Sequence, residues 1–395
     1  SCKAKGGAFT REHFFGRYEE THRMVASMTD EDVGFLRRGG HDPLKVYAAY
    51  KSAVEHTGQP TVILAKTVKG YGMGTAGEGQ NITHQQKKMS FEALKTFRDR
   101  YKIPVTDDNL EEVPFVSLED GSIEKQYLDE RRQGLGGTMP NRNADVEPLD
   151  VPPLSAFSQL LEATGDREIS TTMAFVRILN ILVRNKELGK RVVPIVPDES
   201  RTFGMEGMFR QLGIYNPLGQ QHLPEDRDQL MFYKEDAKGQ VLQEGINEAG
   251  GMSDWIAAAT SYATHGVSMI PFYIFYSMFG FQRIGDLCWA AGDSRARGFL
   301  IGGTAGRTTL NGEGLQHQDG HSHLISATVP NCVSYDPTFA FEMAVIIQNG
   351  LKRMYQDRED VYYYITAMNE NYTHPAMPDG AEEGIIKGLY ALKDA

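Results

Sequence analysis

Short, mostly apolar runs alternate with helix-patterned segments along the second half of the chain. The apolar runs predict strands at 191–197, 268–276, 298–303, 332–335 and 361–366. Apolar side chains that recur every three or four residues predict helices at 172–186, 246–265, 281–296 and 339–354. Strands and amphipathic helices that alternate in this way form parallel sheets covered on both faces, so the pattern predicts an α/β fold.

The first third of the chain has a mixed pattern. Helical spacing predicts helices at 41–56, with Asp42 as its N-cap, and at 90–101. The β-branched run 61–68 predicts a strand. A loop follows it that contains Gly70, Gly72, Gly74, Gly77 and Gly79. Periodicity is lost over 103–153, where acids and prolines are frequent, and this segment is predicted to be a linker.

Composition and charge exclude several classes of function. The 395 residues include 41 Lys+Arg and 52 Asp+Glu, and the net charge of -11 disfavours nucleic acid because its phosphate backbone is also negative. No apolar run approaches the roughly 18 residues that a membrane-spanning helix needs, so no membrane partner is predicted. Cys2, Cys288 and Cys332 form no C-x-x-C pair. This argues against a disulfide framework and predicts a reducing, cytoplasmic location.

Ionisable side chains gather where the predicted strands end. Asp198 and Glu199 follow one strand, Tyr276 ends another, and the polar segment 304–323 follows a third. Ligands of open parallel sheets bind beyond the carboxyl ends of the strands. The sequence therefore predicts a functional site at this edge of the sheet.

The glycine-rich loop allows three interpretations. Its run GMGTAG at 72–77 matches the dinucleotide pattern G-x-G-x-x-G after a predicted strand. However, no helix is predicted to begin at the third glycine. A loop that closes over a site is the second interpretation, because glycines supply hinges and His84, Lys87 and Lys88 supply chemistry. A solvated loop without a role is the third.

Two further positions carry candidate chemistry. Glu248 lies in the first turn of a predicted helix, where the helix dipole alone favours an acid, and Glu244 competes with it for any catalytic role. The segment 311–323 contains Glu313, His317 and other ionisable residues. It is interpreted as a divalent-metal cluster, as a general acid/base pair or as a surface cluster of histidines. Its spacing matches no zinc signature, and its glycines argue against a helix.

Longer runs carry a resemblance to a known family. They are REHFFGRY, ILAKTVKGYGMG, EGQNITHQ, DESRTFGMEGMFRQ, LQEGINEAGG, PFYIFYSMFGFQRIGDLCWAAGD and GGTAGRTTLNGEGLQHQDGHSH. With these runs the chain resembles the thiamine-diphosphate-dependent, pyruvate-decarboxylating component of bacterial pyruvate dehydrogenase complexes, of the homodimeric type. The likeness covers the middle portion of that family's longer chain.

The resemblance implies a transketolase-like, thiamine-diphosphate-binding fold in several parts. Residues 1–102 would form the C-terminal part of a diphosphate-binding domain that includes a mobile loop at 70–90. Residues 103–153 would be a linker, 154–378 a pyrimidine-binding domain, and 379–395 the start of a connection to a further domain. The family's ligands for diphosphate and Mg²⁺ are expected outside this chain, and no metal ligand is assigned to it.

The resemblance also implies roles for residues around the cofactor. Glu248 matches the glutamate that shifts the aminopyrimidine to its imino form and so acts as a proton relay. Tyr276 and Phe279 match residues around this ring, where an aromatic face can stack, and Arg283 follows them. Lys69 matches a lysine near the cofactor.

Other matched positions lie near the substrate in the family. Asp198 and Glu199 match acids that line the active site, and Glu313 and His317 match a pair beside the reacting carbon. His84 matches the histidine that meets the lipoyl group. It lies on the loop 78–90, which would order over the cofactor intermediate and exclude water.

The activity that the resemblance implies is oxidative decarboxylation of pyruvate. Reductive acetylation of the lipoyl group of the dihydrolipoyl acetyltransferase component follows it. A homodimer with each cofactor between two subunits is implied, within a cytoplasmic multienzyme complex that works downstream of glycolysis. Two alternatives remain: transketolase-like two-carbon transfer, and, for this chain alone, a non-catalytic dimerising fragment. The isolated chain is expected to be inactive.

Overall fold

The computed structural model describes residues 2–36, 39–137, 143–197, 200–225, 233–306 and 314–393. These residues divide into two compact units, Ser1–Met139 and Pro140–Ala395. The division falls inside the segment 103–153 that the sequence predicts to be a linker. The assignment of cofactor-binding roles to particular domains stays a prediction.

The described part of the first unit contains six α-helices. They are α1 (Cys2–His13), α2 (Glu19–Met24), α3 (Asp30–Phe35), α4 (Pro43–Glu55), α5 (Phe91–Tyr101) and α6 (Ile123–Gly134). The Asp42 carboxylate caps α4 by accepting hydrogen bonds from the backbone N–H groups of Leu44 and Lys45. Pro43 takes the first helical position, where its missing N–H costs nothing. The helices predicted at 41–56 and 90–101 are thereby confirmed.

The run 61–68 is not a strand in this unit, so that prediction is wrong. Its residues are irregular and pair with no described strand of the first unit. Val62 is 82% exposed and Leu64 92%. Its end is held instead by a side chain, because Val68 N donates to His41 Nε2 at 2.6 Å. A strand requires a neighbour to complete its hydrogen-bond ladder, and an apolar pattern does not supply one.

Helix α6 lies within the segment predicted to be a linker. It has no buried side chain, and Ile123, Tyr127 and Leu128, its large apolar residues, are all exposed. Local contacts stabilise it: Ser122 Oγ accepts from Lys125 N, and Lys125 Nζ lies 2.8 Å from Asp129 Oδ2 one turn later. The sequence did not predict this helix, because a cap and a side-chain pair stabilise it rather than a buried apolar face.

The described part of the second unit contains nine α-helices and eight strands. The helices are α7 (Ser158–Leu161), α8 (Thr171–Arg184), α9 (Phe209–Leu212), α10 (Glu248–Ala259), α11 (Ser261–His265), α12 (Gly280–Asp293), α13 (Ser322–Ser326), α14 (Ala340–Leu351) and α15 (Glu382–Lys387). The strands are β1 (Val192–Val196), β2 (Ile214–Tyr215), β3 (Glu235–Asp236), β4 (Leu242–Gln243), β5 (Ile270–Tyr276), β6 (Phe299–Gly303), β7 (Cys332–Tyr335) and β8 (Tyr362–Thr366).

Six strands form one parallel sheet in the order β4-β1-β5-β6-β8-β7. The strands β2 and β3 form a separate parallel pair. The five strands predicted in this half of the chain are confirmed as β1, β5, β6, β7 and β8. Because the strands are parallel, their carboxyl ends lie at one edge, where Val196 pairs with Gln243 and Tyr276 with Gly303.

Helices cover both faces of this sheet. Side chains along β5 alternate between two buried clusters, with Phe272 and Ile274 in one and Tyr273 and Phe275 in the other. The first cluster includes side chains of α8 and α14, and the second includes side chains of α10 and α12. The predicted fold, a parallel α/β sheet with helices on both faces, is therefore confirmed.

The four helices predicted in this unit are present with one interruption. Those predicted at 172–186, 281–296 and 339–354 correspond to α8, α12 and α14. The one predicted at 246–265 is divided at Thr260 into α10 and α11, and Gly266 ends α11 with a φ of 67°. Within the described residues, each helix is too short or too polar to cross a bilayer.

A buried histidine makes the stability of this unit depend on pH. The His374 ring accepts a hydrogen bond from Ala340 N at Nδ1 (2.9 Å) and donates one to Ile169 O from Nε2 (3.0 Å). Burial lowers the pKa of His374 below its ordinary value of 6.5, although the Ile169 carbonyl raises it. The unfolded chain therefore binds the proton more readily. The contribution of His374 is fully present above pH 6.5 and is lost as pH falls from 6.5 towards its folded-state value.

We expect His374→Leu to lower the free energy of unfolding by roughly 1–3 kcal/mol, because Ala340 N–H loses its acceptor. The loss of stability between about pH 7 and about pH 5.5 should also become shallower. Urea unfolding of wild type and variant at several pH values measures both effects. The exposed His265, replaced by leucine, is the matched control. An unchanged pH dependence in His374→Leu would contradict this account.

Candidate active site

Two residues from different helices, Glu248 and Arg283, form an ion pair. Glu248 is the first residue of α10, and the Asn247 side chain caps this helix by accepting from Gly250 N at 3.1 Å. Arg283 lies in the first turn of α12, and its Nη1 donates to Glu248 Oε1 at 2.5 Å. The Glu248 side chain is 16% exposed and that of Arg283 is 45% exposed. The structure thus joins two of the predicted cofactor residues.

Three rings form a compact group at the end of β5. The centroid of the His317 ring lies 4.9 Å from that of Tyr276 and 5.2 Å from that of Phe279. The Tyr276 and Phe279 centroids are 6.2 Å apart, and all three pairs meet nearly at right angles. We call these residues the aromatic triad. All three were predicted as site residues, and the described structure brings them together.

Arg283 connects the triad to the carboxylate. Its guanidinium lies 4.3 Å from the centroid of the Phe279 ring while Nη1 contacts Glu248. A guanidinium over an aromatic face is attracted by the ring quadrupole, and its planar fork keeps the remaining N–H groups directed sideways. Glu248, Arg283 and the aromatic triad therefore form one continuous surface.

Phe203 is a member of this group that sequence reasoning missed. Its ring is fully buried and lies 5.3 Å from that of Tyr276. It belongs to the irregular segment before α9, where no strand or helix periodicity marks a core position. The run DESRTFGMEGMFRQ, one of those that carry the family resemblance, was the only signal of its importance.

The glycines at the start of α10 are required by packing within the unit. A Cβ on Gly251 would lie 2.6 Å from the Tyr273 ring, and one on Gly250 would lie 3.0 Å from Glu244 Oε2. The close approach of Gly251 to Tyr273 places the first turn of α10 directly against β5. Glu248 is thereby held beside the end of the strand that supplies Tyr276.

Glu244, the competitor of Glu248, has a different environment. Its backbone N–H donates to Val196 O at 3.0 Å, which fixes it at the carboxyl edge of the sheet. The neighbouring Asp254 carboxyl, followed by burial, raises the pKa of Glu244 to about 7. Glu244 is therefore partly protonated near neutral pH, whereas Glu248 pairs with a guanidinium.

The glycine-rich loop of the first unit is organised by a buried carboxylate. Glu78 Oε2 accepts from Gly72 N at 3.2 Å, Gly74 N at 3.3 Å and Arg100 Nη1 at 2.6 Å, and Lys3 Nζ lies 3.7 Å from Oε1. Burial raises the pKa of Glu78, but the hydrogen bond and charge of Arg100 lower it further, so the net shift is downward. The loop is anchored through its interior rather than through its exposed side chains.

Lys69 and His84 both lie exposed on this loop. Lys69 O accepts from Gly79 N at 2.8 Å, and His84 ends a short 3₁₀ turn, Asn81–His84. The run 72–77 forms a 3₁₀ turn at Gly74–Ala76, and no α-helix begins at its third glycine. The dinucleotide interpretation therefore lacks the strand and helix that it requires. Lys69 and His84 belong to the first unit, and their proposed roles stay predictions.

Three predicted site residues, Asp198, Glu199 and Glu313, lie outside the described residues. The other part of the segment 311–323 gives no support to a metal cluster. Among the residues that the structure describes, no three His, Cys, Asp or Glu side chains are grouped to hold a metal ion. His323 instead contacts Thr366 Oγ1 through Nε2 at 3.0 Å.

A cavity of about 680 Å³ lies beside the aromatic triad, along the carboxyl ends of β6, β7 and β8. Its walls include Asp319, Ser322, His323, Asp336, Thr366 and Met368. Thr366 Oγ1 donates to Asp336 Oδ1 at 2.6 Å. None of the aromatic triad lines this cavity, so it adjoins the predicted site without containing it.

Glu248, Arg283 and the aromatic triad together have the chemistry to bind an amino-substituted heteroaromatic ring. A sheltered carboxylate can accept a hydrogen bond or hold a proton against a ring nitrogen, and the faces of Tyr276 and Phe279 can pack against a flat ring. The His317 imidazole adds a group that can donate to an oxygen. These residues fit the aminopyrimidine of thiamine diphosphate.

The fold is similar to that of transketolases. Transketolase from Pichia stipitis in complex with sedoheptulose 7-phosphate aligns with 93% of this chain and 51% of its own, at a TM-score of 0.59 and 14% identity. Transketolase from Campylobacter jejuni aligns with 86% of this chain and 46% of its own, at a TM-score of 0.54 and 16% identity. The predicted transketolase-like fold is confirmed.

Curated relatives are far closer in sequence. The pyruvate dehydrogenase E1 component of Cupriavidus necator is 66% identical over 394 residues, and that of Escherichia coli K12 is 61% identical over 393. The alignments cover 100% and 99% of this chain and 44% of each relative, so the chain spans less than half of their length. Residues 149–375 match the model of the pyruvate dehydrogenase E1 component middle domain, and the chain belongs to this family.

Proposed function

We propose that the full-length protein carries out the oxidative decarboxylation of pyruvate and the reductive acetylation of the lipoyl group of an acyltransferase partner. Family membership supports the general role, and the Glu248–Arg283 pair beside the aromatic triad is the observation that carries the proposal. Thiamine diphosphate, when bound, supplies the electron sink for cleaving the keto acid. The protein supplies binding, orientation and proton transfer.

Each described residue of the site has a proposed task. Glu248 would hold a proton against a pyrimidine nitrogen, and Tyr276 and Phe279 would pack against the ring. Arg283 keeps the Glu248 carboxylate oriented through one oxygen, which leaves the other oxygen for the ring. His317 would donate to the oxygen of the substrate on which negative charge develops.

The other predicted residues complete the proposal. Asp198, Glu199 and Glu313 would line the substrate side of the site. Lys69 would contact the cofactor, and His84 would supply a proton to the opening lipoyl ring. Magnesium and diphosphate would be bound by residues outside this chain.

The proposed assembly is a homodimer within a cytoplasmic multienzyme complex. The dihydrolipoyl acetyltransferase component with its lipoyl domain is the proposed partner, and pyruvate, produced by glycolysis, is the proposed substrate. Residues 1–102 would belong to a diphosphate-binding domain, 154–378 to a pyrimidine-binding domain and 379–395 to a connection to a third. Each active site would then need both kinds of domain, so we propose that this chain alone is inactive.

Release of CO₂ from labelled pyruvate tests the proposed activity. Full-length protein with thiamine diphosphate and Mg²⁺ should release CO₂ from pyruvate. When a free lipoyl domain is added, the protein should acetylate the lipoyl group of that domain. The same protein should transfer no two-carbon unit from xylulose 5-phosphate. Transfer from the sugar phosphate without turnover of pyruvate would instead support the transketolase-like alternative.

A further inference from the structure

The described stretch from Gly314 to His321, which carries His317, has one buried residue. Between Gly314 and His321, Asp319 is 6% exposed, while Leu315 in the same segment is 78% exposed. The other residues of this stretch are exposed or half-buried. Asp319 is therefore the point at which this segment is fastened to the interior.

Asp319 is fastened by several hydrogen bonds. Its Oδ1 accepts from the backbone N–H groups of His321 (3.0 Å) and Ser322 (3.1 Å), and its Oδ2 accepts from Ser322 Oγ. Burial raises the pKa of Asp319, but the hydrogen bonds from the Ser322 hydroxyl and from the backbone N–H groups of His321 and Ser322 lower it further. The net shift is downward, so this carboxylate stays ionised at neutral pH.

Asp319 lies next to the part of the chain that reaches the end of β5. His317 ends a 3₁₀ turn, Leu315–His317, only two residues before Asp319. Ser277 directly follows Tyr276, and its backbone N–H donates to Gly303 O at 2.9 Å, which fixes it to β6. The His317 ring contacts Tyr276 at this end of β5, so the backbone that Asp319 holds in place follows directly on the residue that meets the strand end.

We propose that Asp319 is a positioning residue that sets the place of the His317 ring against Tyr276 and Phe279. A buried carboxylate is costly unless its oxygens are well bonded, and here backbone and hydroxyl donors on the next turn bond them. The same bonds fix the backbone just after His317. Because a misplacement of about 1 Å can cost about a hundredfold in rate, such fastening matters for a group that must meet a developing charge.

This inference rests on the proposed function, and a double-mutant cycle tests it in the full-length holoenzyme. Asp319→Asn keeps the shape of the side chain but removes its charge. We expect it to lower kcat for pyruvate about tenfold and to change KM by less than about threefold. In a His317→Gln background, the same substitution should lower kcat by less than about twofold, because its effect passes through His317.

Asp336→Asn is the matched control, since this exposed acid lies on the same edge and contacts Thr366. It should leave kcat within about twofold of wild type. An equal loss of kcat from Asp319→Asn in both backgrounds, or no loss in either, would overturn the positioning role. If wild type released no CO₂ from pyruvate, the proposed function itself would fail.

Two further measurements keep the inference testable if Asp319→Asn folds poorly. Ser322→Ala removes one donor to the carboxylate and should give a smaller loss of kcat with the same dependence on His317. Amide hydrogen exchange of the cofactor-free, full-length protein should accelerate at least about threefold over 314–322 in either variant, while β1 stays unchanged. Exchange at the wild-type rate over 314–322 would contradict the fastening.

Discussion

Replacing Glu248 by glutamine is expected to lower the release of CO₂ from pyruvate by at least about a hundredfold in the full-length protein. Glutamine has the shape of glutamate but cannot take up and release the proton that the cofactor ring requires. Thiamine diphosphate should still bind within about tenfold of the wild-type affinity, because Tyr276 and Phe279 remain. Radiometric CO₂ release measures the first effect, and titration calorimetry measures the second.

The stability of the protein should hardly change in this variant. The Glu248–Arg283 pair is partly exposed, and such pairs contribute about 0–1 kcal/mol. Glu187→Gln is the matched control, since Glu187 is an exposed glutamate of the same unit, beyond the end of α8. Near-normal CO₂ release by Glu248→Gln would remove Glu248 from its proposed role.

The second large effect is expected from His84→Ala, which should separate the two reactions. Decarboxylation of pyruvate should stay within about twofold of wild type, while acetylation of a free lipoyl domain should slow by roughly ten- to a hundredfold. The exposed His84 imidazole can supply the proton needed when the lipoyl ring opens. Parallel assays with a dye acceptor and with the lipoyl domain measure the two rates.

The loop should survive this substitution because its anchor is elsewhere. Glu78 accepts hydrogen bonds directly from Gly72 N and Gly74 N and is itself held by Arg100, whereas the structure gives the His84 side chain no such role. His56→Ala is the control, since His56 is an exposed histidine of the same unit. Equal slowing of both reactions in His84→Ala would contradict the assignment of this residue to the lipoyl step.

The sheet of the second unit was predictable from sequence because burial governs its strands. Apolar runs such as 268–276 coincide with β5 to within two residues, and parallel packing explains their lack of alternation. The run 61–68 has a similar composition but pairs with no described strand of its unit, and α6 buries no side chain. Periodicity reports burial, so it fails where pairing or local capping decides the structure.

The site was predictable only in part. The pattern of strand ends placed Tyr276 at the carboxyl edge of the sheet, and the start of a predicted helix made Glu248 a candidate. The family resemblance added Phe279 and Arg283. Neither indicated that Arg283 contacts both Glu248 and Phe279, because that contact joins two helices far apart in sequence. The close packing of Gly251 on Tyr273 was likewise not predicted, since the sequence does not show which residue a glycine packs against.

The central claim is that the Glu248 carboxyl serves the pyrimidine of thiamine diphosphate. A crystal structure of the full-length protein with the cofactor tests it most directly. We expect a Glu248 carboxyl oxygen at about 3 Å from a pyrimidine nitrogen, with the side chain of Tyr276 or Phe279 packed against the pyrimidine ring. A bound cofactor whose pyrimidine lies out of reach of Glu248, with that carboxylate directed to solvent, would contradict it.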